Sequence, residues 1–184
     1  MRWILIATAA IWIALELRQS ITHRTDGVRA GWGSEIVFRL VVTAGALGSG
    51  VLTHNMPAAT IRPAVVARAI GLVLFWCGIA LRLWSFRTLG RYFTFTVQTS
   101  RDQPVITNGP YRFIRHPSYA GLLLAVIAVG LFVGNWVALV FLTVAFTGAL
   151  VYRIRVEERA LTENIGDGYR DYAATHKRLV PFIW

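Results

Sequence analysis

Arg153 and Glu157 stand four residues apart in Tyr152-Arg153-Ile154-Arg155-Val156-Glu157-Glu158-Arg159. A helix through this segment sets the two side by side on one face, a guanidinium able to hold an anion next to a carboxylate able to hold a cation. Glu158 lies roughly 100° further round such a helix and is expected to face Arg155 or solvent. A second cluster, Tyr111 with Arg115-His116-Pro117-Ser118-Tyr119, adds aromatic rings, a histidine and hydroxyls. Aromatic faces attract an onium centre, and a carboxylate in a partly dry site adds Coulombic attraction. The plain alternatives are a surface ion pair and an interfacial loop that ends in a helix-starting proline.

The elements that must carry these groups are hydrophobic. Of 184 residues, 55% are hydrophobic and 15% charged, against roughly 25% charged in a soluble domain. Apolar runs cover Trp3 to Leu17, Ile36 to Thr53, Ala64 to Trp84 and Tyr119 to Val151. The first is short for a span and resembles a signal peptide, but Glu16-Leu17-Arg18-Gln19 is a poor cleavage site, so it is read as a crossing. In the second, Gly45, Gly48 and Gly50 would let another helix approach closely. In the third, Arg68 and Arg82 lie near the two ends, where long side chains reach head groups. The last run has no charge over 33 residues, about 50 Å as one helix against a hydrocarbon core of about 30 Å. Gly134-Asn135 offers a break near its middle, giving a tight helical hairpin.

Charge placement favours that division. With five crossings, Arg2 and Arg62 fall on one side. Arg18, Arg24, Arg29, Arg87, Arg91, Arg101, Arg112, Arg115, Arg153, Arg155, Arg159, Arg170, Lys177 and Arg178 fall on the other. The positive-inside rule then puts the amino terminus outside and the tail in the cytoplasm. The fold class expected is an all-α integral membrane protein of about five transmembrane helices. The long polar segments 18–35, 85–118 and 152–184 share the cytoplasmic side, so a soluble ligand is met there.

The formal net charge of +10 fits anionic lipid head groups, and no nucleic-acid-binding pattern accompanies it. One cysteine, Cys77, excludes an internal disulfide, and no metal site is expected. His23, His54 and His176 are scattered, and GxGxxG, P-loop, HExxH and GxSxG motifs are absent. S-adenosylmethionine, with its sulfonium and ammonium, is a ligand the two clusters would suit, without a Rossmann domain.

Asn108-Gly-Pro-Tyr-Arg-Phe-Ile-Arg-His-Pro-Ser-Tyr-Ala-Gly121 closely resembles isoprenylcysteine carboxyl methyltransferases. So do Arg153-x-x-x-Glu157-Glu158, Gly166-Asp-Gly-Tyr-Arg-Asp-Tyr172 and Arg178-Leu-Val-Pro-Phe-Ile183. The resemblance covers about the last 90 residues and keeps the order and spacing of both motifs. It implies methyl transfer from S-adenosylmethionine to the carboxylate of a prenylated, lipid-like cysteine substrate. By position, Gln98, the backbone of Gln103, Pro104, Val105 and Ile106, then Tyr111, His116, Pro117, Ser118, Tyr119 and Glu157 would bind the cofactor. Arg153 would bind the substrate carboxylate and serve catalysis.

On this reading residues 1–84 hold three crossings. Residues 85–184 form the catalytic part, with a cofactor pocket built from the cytosolic loop and the carboxy-terminal tail. The family's eukaryotic members have a histidine where Gln103 stands, and the shorter form resembles the prokaryotic branch, in the cell membrane, whose acceptors need not be prenylated proteins. Other readings stay open. Membrane sterol or enone reductases share an Arg-His-Pro-x-Tyr element, and Arg87, Arg91, Arg112 and Arg115 could meet the 2′-phosphate of NADPH. A phospholipid amine methyltransferase would use His116 as base. A non-catalytic protein that kept the fold is a further reading. The oligomeric state and the placement of the tail are left open.

Overall fold

The computed structural model describes residues 28–29, 32–90, 98–99, 104–181 and 183–184. The expected first crossing, Trp3 to Leu17, lies outside them. Among the described residues there are five α-helices, in order α1 Trp32–Asn55, α2 Ala64–Leu89, α3 Pro117–Val133, α4 Trp136–Ile165 and α5 Asp167–Thr175. Gly33–Asn55, α2 and α4 are each long and apolar enough to cross a membrane, and α3 is a shorter apolar helix. Leu40, Leu47, Val51, Val65, Val73, Val140 and Val144 are exposed on these helices, as lipid-facing positions should be. Two short strands, Val28–Arg29 and Gln98–Thr99, pair antiparallel with Val28 opposite Thr99.

The last apolar run breaks where its length requires. Gly134 takes a left-handed conformation (φ 75°) and ends α3, a geometry open to glycine at no steric cost. Asn135 then caps α4, its side-chain oxygen accepting from the Ala138 N–H at 3.1 Å. Its amide nitrogen donates to the Met56 carbonyl at 2.8 Å. The Ile61 N–H donates to the Gly134 carbonyl at 2.8 Å. The hairpin tip is thereby tied to the α1–α2 connection. At about 1.5 Å per residue, the 30-residue α4 outruns the 17-residue α3 by about 20 Å, and its surplus carries Arg153 to Ile165.

Lipid tails are as apolar as leucine, so these helices associate through close packing more than through water exclusion. α2 packs on α3, α1 on α4, and α3 on α4. Gly78 and Gly121 form the tightest approach: a Cβ on either would collide with the other's carbonyl oxygen. Gly45 and Gly48 abut Leu142 and Phe141 of α4, whereas Gly50 has nothing within 4 Å. Phe75, Ile79, Ala125 and Ala128 fill the α2–α3 seam. Leu122, Phe146 and Leu150 fill the centre with Phe38 against them.

Candidate active site

Polar groups gather at the end of the bundle opposite the Gly134 hairpin. Pro117 starts α3 at its first turn, where a missing N–H leaves nothing unpaired. That start brings Tyr119 against α4, where its hydroxyl meets both members of the Arg153–Glu157 pair. Arg153 Nε donates to the Tyr119 oxygen at 2.9 Å, and Tyr119 donates to Glu157 Oε2 at 2.6 Å. Among the described residues Glu157 accepts this one hydrogen bond, and it is half-buried. Arg153 is buried, with the Phe38 ring 5.3 Å and the Tyr119 ring 5.8 Å from its guanidinium carbon.

One participant, Glu35, carries no expectation from the sequence, and two others, Arg82 and Glu158, differ from theirs. Glu35, at the start of α1, pairs through Oε2 with Arg153 Nη1 and through Oε1 with Arg39 Nε at 2.8 Å. Arg82 turns inward instead of reaching for head groups: it is buried and donates to Ser118 Oγ at 2.8 Å. Its guanidinium lies 4.7 Å from the Phe86 ring centre. Glu158 faces neither Arg155 nor solvent. It is buried, with Arg115 Nη1 at 3.0 Å and His116 Nε2 at 3.1 Å from Oε1, and Arg178 Nε at 2.9 Å from Oε2.

Glu158 therefore joins the loop before α3 to the carboxy-terminal tail. The tail completes the join through its backbone. The Arg115 and His116 N–H groups donate to the carbonyls of Lys177 and Arg178 at 2.8 and 2.9 Å. The Tyr172 hydroxyl of α5 donates to the Tyr111 carbonyl at 2.6 Å. Trp184 lies under Arg178, 5.1 Å from ring centre to guanidinium. The tail folds back over the loop.

Of the expected cofactor residues, Tyr111, His116, Pro117 and Ser118 are buried and Tyr119 is half-buried beside Glu157. Val105 and Ile106 are half-buried in an irregular stretch that begins at the exposed Pro104. Gly168 of α5 lies close to Val105. Gln98 contributes backbone to the short strand pair, and Gln103 lies outside the described residues. Burial raises the Tyr111 phenol well above the ordinary tyrosine range, with the Glu157 charge adding to the shift. Burial does the same to Tyr169, and the Glu158 and Glu157 carboxylates add to it. Tyr169 is buried, and its hydroxyl has no hydrogen-bond partner among the described residues. A buried hydroxyl without a partner is costly, so this one is a ready contact for a bound polar molecule.

Fold and site together define a helical membrane protein with a cluster of ionic and aromatic side chains at one end of its bundle. Residues 69–163 match the model of the isoprenylcysteine carboxyl methyltransferase family. They run from α2 through α4 and take in Tyr111, Tyr119, Arg153 and Glu157. Protein-S-isoprenylcysteine O-methyltransferase A of Arabidopsis thaliana is 31% identical over 115 residues, covering 61% of this chain and 58% of the relative. The Xenopus laevis protein-S-isoprenylcysteine O-methyltransferase is 32% identical over 116 residues, 62% of this chain and 40% of that one. A solved structure of the eukaryotic intramembrane Ras methyltransferase, an isoprenylcysteine carboxyl methyltransferase, superposes with a TM-score of 0.66 at 28% identity. That superposition covers 79% of this chain and 52% of the other. The chain belongs to the isoprenylcysteine carboxyl methyltransferase family. It spans 58% of the length of the Arabidopsis relative.

Proposed function

We propose that this protein transfers a methyl group from S-adenosylmethionine to the carboxylate of a lipid-like acceptor of the prenylated-cysteine type, at the cytoplasmic face of the membrane. The observation that carries the reading is the Tyr119 hydroxyl, which joins Arg153 to Glu157 through bonds of 2.9 and 2.6 Å. It sets the group suited to an acceptor carboxylate beside the group suited to a cationic cofactor.

The residues fit such a cofactor. Glu157 keeps acceptor capacity beyond its bond to Tyr119, the Tyr111 and Tyr169 phenols stay neutral donors, and the Tyr169 hydroxyl lacks a partner among the described residues. Glu157, Tyr111, Tyr119 and the stretch Pro104 to Ile106 would hold it, with Gln98, Gln103, His116, Pro117 and Ser118 completing the set. When bound, S-adenosylmethionine supplies an electrophilic methyl group on sulfur. A carboxylate is already ionised at neutral pH, so the chain need not supply a general base. Arg153 would hold and orient the acceptor oxygens, and the tail over the loop would keep water from the pocket.

His116 pairs through Nε2 with the buried carboxylate of Glu158 at 3.1 Å, which ties it to the joint between loop and tail. For the reductase reading, Arg115 is engaged by Glu158 and Arg112 lies over the Phe113 ring at 4.4 Å, so both guanidinium groups have partners within the chain.

Calorimetric titration of the detergent-purified protein with S-adenosylhomocysteine, S-adenosylmethionine and NADPH tests the cofactor. Saturable adenosyl binding that weakens in Glu157→Ala is expected, and a response to NADPH alone would move the protein to the reductases. Methyl transfer to a farnesylated cysteine analogue tests the acceptor. Arg153→Lys, which loses the planar fork, should lower turnover far more than cofactor binding. Equal loss of both would remove Arg153 from its assigned role.

A further inference from the structure

Arg153 already has a carboxylate on it. Glu35 Oε2 pairs with Arg153 Nη1, although Glu35 belongs to α1 and lies outside the family-matched residues 69–163. The pair is not a simple two-body bridge. Glu35 Oε1 also accepts from Arg39 Nε at 2.8 Å, one helical turn along the same helix. The two arginines differ sharply in setting: the side chain of Arg153 is 7% exposed, that of Arg39 76%, and that of Glu35 23%. Glu35 thus sits at the rim of the site, shared between a buried guanidinium and one facing out.

We propose that Glu35 is a stand-in for the acceptor: it holds the Arg153 guanidinium when no acceptor is bound, yields Nη1 to the incoming carboxylate, and so sets the acceptor affinity. This rests on the functional reading above.

A buried arginine without a counter-ion is strongly unfavourable. An acceptor enters as an anion and leaves as a neutral methyl ester, so its own charge cannot compensate Arg153 through the whole cycle. Glu35 supplies a carboxylate for the states in which the acceptor supplies none. Exchange of one carboxylate for another keeps Arg153 compensated throughout. Arg39 makes the exchange feasible, since Glu35 keeps a cationic partner at the rim when it leaves Nη1. Tyr119 keeps Arg153 Nε fixed during the exchange, because that bond does not involve Glu35.

The two arginines give the test opposite signs. Glu35→Gln removes the internal competitor, and the KM for a farnesylated cysteine analogue should fall roughly five-fold, the worth of a partly screened ion pair. Glu35→Asp should return the KM toward the wild-type value. Arg39→Gln leaves Glu35 with Arg153 as its main cation, and the acceptor KM should rise. In the double variant the Glu35→Gln value should prevail. S-adenosylhomocysteine affinity, measured in parallel, should be unchanged in every variant and reports that the pocket is folded.

A Glu35→Gln protein that binds S-adenosylhomocysteine normally but shows an unchanged or raised acceptor KM overturns the proposal while leaving the methyltransferase reading intact. Loss of S-adenosylhomocysteine binding in that variant also overturns it, by making Glu35 a structural support of the pocket. Absence of methyl transfer by the wild-type protein overturns the functional reading and this inference with it.

Discussion

The Tyr119 hydroxyl lies 2.6 Å from Glu157 Oε2 and donates to it, while its oxygen accepts from Arg153 Nε. One phenol therefore fixes the relative position of two side chains that helix spacing alone only brings near each other. Arg153 and Glu157 leave α4 one turn apart, and each long side chain has several rotamers. The bridge from α3 selects one arrangement.

Tyr119→Phe should accordingly separate the two groups without emptying the space. The change leaves the Arg153 Nε–H, in a buried guanidinium, without this acceptor, and hydrogen bonds to charged groups contribute about 1.5–3 kcal/mol. Methyl transfer to a farnesylated cysteine analogue should fall about ten- to hundred-fold in kcat/KM. S-adenosylhomocysteine affinity should fall less, because Glu157 remains. An unaltered rate would show that the bridge does not position the pair for transfer.

The fate of Arg153, Glu157, Arg82, Glu35 and Glu158 marks what was legible in the sequence. The i, i+4 spacing of Arg153 and Glu157 was readable because helix geometry is local. The break at Gly134-Asn135 was readable because a 33-residue uncharged run exceeds the bilayer. The other three depend on partners distant in the chain. Glu35 meets Arg153 across 118 residues, and Arg82 meets Ser118 across 36. A charge at the end of an apolar run reads equally well as a head-group contact, and only helix packing decides which it is. Glu158 read as facing Arg155 or solvent because its partners, Arg115, His116 and Arg178, lie on the preceding loop and the tail. The Gln98 side chain and all of Gln103 lie outside the described residues, as does the expected first crossing.

Gly121→Ala should test how closely α2 and α3 must approach. A Cβ at this position would strike the Gly78 carbonyl oxygen and lie 3.2 Å from the Arg82 backbone nitrogen. Neither is the end of a flexible side chain, so the helices themselves must separate. Overpacking of this kind costs about 1–3 kcal/mol. Because Arg82 and Ser118 meet across the same seam, S-adenosylhomocysteine binding should weaken along with thermal stability in detergent. A fully stable variant would mean that the seam has slack.

Alkaline pH should loosen the tail through Tyr172. Burial pushes its phenol up to about 12, with the Arg115 charge opposing that rise, and its hydroxyl donates to the Tyr111 carbonyl. In the unfolded chain the same phenol ionises near pH 10. A group whose folded value is raised stabilises fully below its unfolded value and loses that contribution as pH climbs through the folded one. The fall should therefore begin near pH 10 and finish near pH 12. It can be followed by limited proteolysis of the tail alongside phenolate absorbance. Tyr172→Phe cannot ionise and lacks the bond, so it should start less stable and show a shallower decline over that window. A decline of equal depth in the variant would assign the transition to other groups.

Glu158→Gln should release the tail more drastically. The carboxylate is buried and compensates Arg115 and Arg178 while pairing with His116. The substitution is nearly isosteric, so packing is preserved while two arginines lose their shared counter-ion. Breaking a buried ionic cluster by removing one partner costs about 3–5 kcal/mol. Arg178 is about one-third exposed and can recover solvation, whereas the side chain of Arg115 is 9% exposed and cannot, so the lower end of that range is expected. Thermal unfolding in detergent should shift down by several degrees, and protease should cut beyond Thr175 at temperatures where the parent resists. Adenosyl-ligand binding should weaken as the loop from Tyr111 to His116 loses its cover, yet Glu157, still bonded to Tyr119, should retain part of it. Cleavage at the parental rate would show that the backbone bonds from Arg115 and His116 to Lys177 and Arg178 hold the tail without Glu158.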